Sequence, residues 1–157
     1  MFGFGKTKMT LNDFVDQNWE KITNPDRLDL LKTFLSESGD ADLENVDFEI
    51  FSNCMLAAYV QVLRIAVMQT QSTDATLYFG LEIGKKLETN THANSYWIKL
   101  NKSFGSSTDG FKAMSASFGN LMKPSTLSSN GTEIIYQQLL EAFFGMKETL
   151  KSIKIVP

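Results

Sequence analysis

The sequence is poor in the residues that most often carry chemistry. Among its 157 residues are one cysteine, Cys54, and one histidine, His92. A single cysteine excludes an intramolecular disulfide. Its neighbours, Asn53, Met55, Leu56, Ala57 and Ala58, predict a small core hydrophobe, with no adjacent base or cation to activate a thiolate. One Cys and one His cannot make the ordinary zinc ligand set. Glu88 and His92 stand four apart, whereas the di-iron bundle signature needs a separation of three and a second such pair. His92 therefore reads as part of a helix start or loop, and the expected metal and cofactor complement is none.

Other absences narrow the function further. Gly5-Lys6-Thr7 imitates the end of a phosphate-binding loop, but no glycine stands five residues earlier and no strand leads in. Asp40, Asp42 and Glu44 imitate the opening of a calcium loop. That twelve-residue pattern then wants Gly at its sixth position and Glu at its twelfth, where Asn45 and Phe51 stand. No G-x-S-x-G elbow occurs, and no serine is placed beside His92. No basic stripe suggests direct binding to nucleic acid.

The stretch MFGFGKTKMT has no apolar run of signal-peptide length, and Phe2 excludes myristoylation. Ile50 to Met68 is the most apolar segment, yet Ser52, Asn53, Gln61 and Arg64 interrupt it too often for a simple membrane span. The expected location is cytoplasmic.

What the sequence has in abundance is apolar material. Hydrophobic residues make up 43% and there are 12 Phe, enough to fill a core of one ordinary domain without staples. The expected organisation is a flexible tail over residues 1–9 and one helical domain over 10–157.

Thr10 is the expected N-cap of a first helix, with Asp13 in its first turn and Leu11, Phe14, Val15, Asn18, Trp19 and Ile22 as its stripe. Asn24-Pro25-Asp26 stops that helix and starts another, which carries Leu28, Leu30, Leu31, Phe34 and Leu35 to a Gly39 cap. The short turn predicts two antiparallel helices.

From Asp47 to about Gln71 nearly every position is apolar. The exceptions, Glu49, Asn53, Gln61, Arg64 and Gln71, fall with Ala57 on roughly a third of the helix circumference. Such a helix must be surrounded, which makes it the centre of the fold.

Residues 72–90 are two-faced. Leu77, Phe79, Leu81 and Ile83 alternate as a strand would, while Ser72 as a cap and Lys85 and Lys86 at the far end favour a helix. Gly80 and Gly84 would let a neighbouring helix approach closely. Ala93 to Ser103 reads as a further helix.

From 101 to 131, seventeen of 31 residues are Ser, Gly, Asn or Thr, so only a marginal helix is expected, capped by Thr108. Pro124 to Gly131 reads as a loop. Ile135, Leu139, Phe143, Met146, Leu150 and Ile153 then mark a strong last helix. The fold expected is all-α, an irregular bundle of five to seven helices.

Two features point to binding. Residues 10–50 hold eleven acids against three bases, a local net of −8, and six of the acids (Glu37, Asp40, Asp42, Glu44, Asp47 and Glu49) lie where no base occurs between Thr33 and Leu63. Such a patch suits a basic protein partner. The second is the polar segment punctuated by Phe104, Phe111 and Phe118, whose aromatics either meet a partner or pin the segment to the core.

The leading expectation is a non-catalytic protein-binding module of inhibitor, immunity or adaptor type. A carrier or sensor of an apolar small molecule is the alternative. A carboxylate enzyme built on Asp13, Asp16 and Glu20 comes third, since those acids share a helix face. The apolar content also leaves room for a homo-oligomer.

Overall fold

The computed structural model describes residues 5–38, 46–105, 108–122 and 127–157. Among the described residues there are seven helices and one pair of short strands: β1 (Thr7–Thr10), α1 (Leu11–Ile22), α2 (Pro25–Glu37), α3 (Phe48–Thr70), α4 (Thr73–Glu88), α5 (Thr91–Gly105), α6 (Gly110–Leu121), α7 (Ser129–Lys151) and β2 (Ile153–Val156). The fold is an all-α bundle around α3, as the apolar run predicts.

Local chemistry starts most of these helices. Thr10, Asn24, Asp47 and Ser72 each accept a backbone N–H from the first turn of the helix they cap, and Pro25 takes the first position of α2, where its missing donor costs nothing. Asp109, one residue beyond the expected Thr108, caps α6, its carboxylate accepting from Lys112 N. Ser128 caps α7, so Ser129 to Gly131 are helical where a loop was expected. The expected Gly39 cap lies outside the described residues; α2 ends at Glu37, with Ser38 N–H bonded back to Phe34 O and Leu35 O.

α3 packs chiefly on α5 and α7. It is the one described helix long and apolar enough to cross a membrane, and 78% of its most apolar stretch is buried in the bundle. The middle of its polar strip is covered as well. Gln61 is 1% exposed, and Asn53 accepts a 2.8 Å hydrogen bond from Asn90 Nδ2, whose own Oδ1 caps α5 by accepting from Ala93 N. The strip thus registers α5 against α3.

α1 and α2 do not pack along each other as a hairpin. α1 rests on α4, with Phe14 edge-on to Phe79 at 5.7 Å and Asp16 paired to Lys86 at 2.7 Å, whereas α2 lies on α3.

Residues 72–90 form a helix. Phe79, Ile83 and Leu87, four apart, turn inward, while Leu77 and Leu81 remain 62% exposed. The alternation arose because both faces of α4 are apolar. No helix among the described residues uses the close approach that Gly80 and Gly84 would allow: a Cβ at either would meet nothing within 4 Å. Alanine at each is accordingly expected to raise stability by roughly 1 kcal/mol, since glycine in a helix interior forfeits about that much. Urea unfolding of the two variants measures it; a loss would mean that the bare surface is occupied.

Residues 7–9, expected in a flexible tail, are strand instead. β1 pairs in parallel with β2, Thr7 opposite Ile153 and Thr10 opposite Val156. Ile153, expected to end the last helix, begins β2 two residues after α7 stops at Lys151. Pairing across almost the whole chain leaves no local signature in TKMT.

Candidate functional site

The residues singled out in the sequence divide by burial. Phe118 is fully buried and edge-on to Phe51 at 6.4 Å, and Phe111, 8% exposed, sits between Phe104 at 5.3 Å and Phe143 at 5.1 Å. The half-buried Phe104 ring covers Gly110 so closely that a Cβ there would lie 2.4 Å from it. These three side chains fasten α5 and α6 to the core and offer little surface to a partner.

Among the acids, Glu37, Asp47 and Glu49 are exposed and have no ion pair among the described residues. Asp47 also caps α3. Asp40, Asp42 and Glu44, with the calcium-loop pattern, lie outside the described residues.

The carboxylates considered for catalysis do not form a site. Asp13 accepts a hydrogen bond from Thr10 Oγ1, Asp16 pairs with Lys86, and Glu20 is exposed; none of the three lines a cleft described below. His92 is exposed in the first turn of α5. Cys54 is buried, and burial pushes its thiol up to about 12, with only Lys99 opposing. It is an inert core residue at physiological pH.

Two clefts remain. The first, about 480 Å³, separates α2 from α7 over a floor of Tyr59, Val62 and Leu63 from α3. Leu28, Leu31 and Phe34 line one wall, and Ala142, Gly145 and Met146 the other. Burial raises the Tyr59 phenol above its ordinary value; Arg27 opposes that shift and Glu141 adds to it, which places both charges near the hydroxyl.

The second cleft, about 590 Å³, is the groove between α4 and α5. These helices meet at the Thr89–Asn90 turn, and α3 supplies the floor through Val60 and Arg64. Leu77, Gly80, Leu81 and Gly84 form the α4 wall; Asn94 and Trp97 belong to the α5 wall. Without side chains at 80 and 84 the groove is deep enough to reach Arg64. The Arg64 guanidinium lies over the Trp97 ring, 5.6 Å from its centroid.

That floor is polar and incompletely matched. Arg64 is half-buried and has no ion pair or hydrogen bond among the described residues. Trp97 lines the same groove, and its buried Nε1–H lacks an acceptor among the described residues; Ser52 Oγ and Gln61 Oε1, outside the groove lining, lack partners too. Buried polar atoms without partners are uncommon in folded proteins, and each calls for a physical reason.

The sequence carried two signs of this groove, the glycine pair and the lone cation in the apolar helix. It did not show that they meet. No protein family matches the chain, and no characterised protein or solved structure is significantly similar to it.

Proposed function

We propose that this protein is a non-catalytic binding protein that holds an apolar ligand in the groove between α4 and α5. One observation carries the reading: Leu77 and Leu81, each 62% exposed, edge a cleft of about 590 Å³ that no element among the described residues fills. Small-molecule pockets span about 300–1,000 Å³ and are lined mainly by apolar side chains with a few placed polar groups. This groove has that make-up. Large uncovered apolar groups cost solvation unless something covers them in use.

The test is organic-solvent extraction of protein purified from its native cells, followed by mass analysis. A single apolar compound in near-equal amount to the protein, absent from a Gly84→Leu variant, supports the reading. Ligand-free protein from several preparations, together with failure to take up added apolar probes, counts against it.

A protein-binding module of inhibitor, immunity or adaptor type is the second reading. It is favoured by Glu37, Asp47 and Glu49, which stand exposed and unpaired among the described residues. Its test is retention of a basic protein in near-equal amount by the immobilised chain, with release by moderate salt.

A further inference from the structure

We infer that the α4–α5 groove selects an apolar molecule bearing one anionic group, a carboxylate or a phosphate, which Arg64 and the Trp97 indole N–H hold at the groove floor. This deepens the binding proposal above and rests on it.

Two donors define the headgroup. A guanidinium carries five N–H donors in a planar fork that fits a carboxylate or phosphate with two parallel hydrogen bonds. Arg64 is the one basic residue of α3, and its face-on contact with Trp97 satisfies none of those donors. Trp97 brings a second donor, buried and without an acceptor among the described residues. One anionic group at the floor would supply acceptors for both.

The walls say what the rest of the ligand must be. Leu77 and Leu81 from α4 present exposed hydrocarbon, backed by the buried Ile83, Leu87 and Val60, so the body is apolar. Gly80 and Gly84 provide its room. Asp74 and Glu88 lie in the first and last turns of α4, and neither is within ion-pair distance of Arg64. They repel a ligand carrying further negative charge toward either end of the groove, which restricts the anion to one. A neutral ligand would leave Arg64 half-buried and unpaired, and a cationic one would meet it directly.

The experiment titrates ¹⁵N-labelled full chain with dodecanoate, dodecyl phosphate, dodecanol and dodecyltrimethylammonium, each below its micelle concentration. The Trp97 and Trp19 indole signals are assigned with Trp97→Phe. The expected result is that at least one of the two anions binds about tenfold or more tighter than the alcohol. The Trp97 indole signal shifts while that of Trp19 stays, and the cation does not compete. Arg64→Met should bring the anions down to the affinity of the alcohol, and Gly84→Leu, which narrows the groove from its α4 wall, should abolish binding of the anions and the alcohol.

Which anion binds tighter identifies the headgroup. Equal binding of dodecanol and both anions, unaltered by Arg64→Met, overturns the anion selection and leaves the apolar-binding reading standing. Absence of any binding overturns both. If that absence accompanies a dimer in sedimentation that Gly84→Leu dissociates, the groove is a seat for a second copy of the chain.

Discussion

Replacing Phe118 with alanine is expected to cost about 3–5 kcal/mol, the range for deleting a fully buried ring. Total stability of a domain is about 5–15 kcal/mol, so this one change removes a large share of it. The site has no slack: Phe118 is fully buried, Met114 on α6 and Met122 at its C-cap are buried too, and its ring meets Phe51 of the central helix edge-on. Phe51→Ala should cost a similar amount. The double variant should fall short of the sum by about 0.5–1.5 kcal/mol, the usual worth of an aromatic pair beyond its area.

Urea unfolding of the two single variants and the double variant measures all three terms. The result separates two accounts of the aromatic segment. If Phe118→Ala folds with wild-type stability, the ring is a surface group available to a partner, and its place in the core is wrong.

Much of this architecture was legible because its causes are local. A cap side chain bonds an N–H two or three residues away, so Thr10, Asn24, Asp47 and Ser72 announce their helices without reference to the rest of the chain. The central helix was legible for the related reason that Phe51 to Val67 leaves almost no polar residue to face water. β1 and β2 were not legible. Their pairing joins residues some 146 positions apart, Thr7 to Ile153, and no turn or alternation in either tetrapeptide records it.

The groove was half legible. Gly80 and Gly84 would let a neighbouring helix come close to α4. No element of the described residues fills the space, and the groove is seen only in the fold. Leu77 and Leu81 gave α4 its strand-like alternation because they add an apolar outer face to a helix whose inner face is apolar too. Arg64 stood out as a charge in an apolar helix, but only the fold shows that it lies against Trp97 beneath the glycine pair.

Gln71 was read as one more polar residue of the central helix, and it proves to be the clasp of the C-terminus. From the end of α3 its Nε2 donates to Leu150 O and Ile153 O, both at 3.2 Å, and its Oε1 accepts from Ile155 N at 3.1 Å. One side chain thereby ties the end of α7 and strand β2, with β1 on its far side, to the central helix. Gln71→Ala removes three hydrogen bonds and leaves part-buried backbone groups without partners. The expected cost is roughly 2–4 kcal/mol, from about 1 kcal/mol per bond and more for groups left unsatisfied. Amide exchange at Ile155 should accelerate along with the global loss.

Gln71→Glu is the sharper test, because it keeps shape and the acceptor for Ile155 while replacing the donor with a carboxylate facing two carbonyl oxygens. Those oxygens and the burial disfavour the charge, so the folded-state pKa of the new Glu should rise above its unfolded value of about 4.3. The folded state then binds the proton more tightly. The variant's deficit should therefore be largest above the raised folded value and shrink as pH falls toward the unfolded one, since the protonated carboxyl regains one donor. Unfolding free energies of wild type and both variants at pH 4.5 and 7.5 decide the matter. A Gln71→Ala loss under about 0.5 kcal/mol, typical of a bland surface change, together with no pH dependence in Gln71→Glu, would show that β2 is held by its pairing with β1 alone.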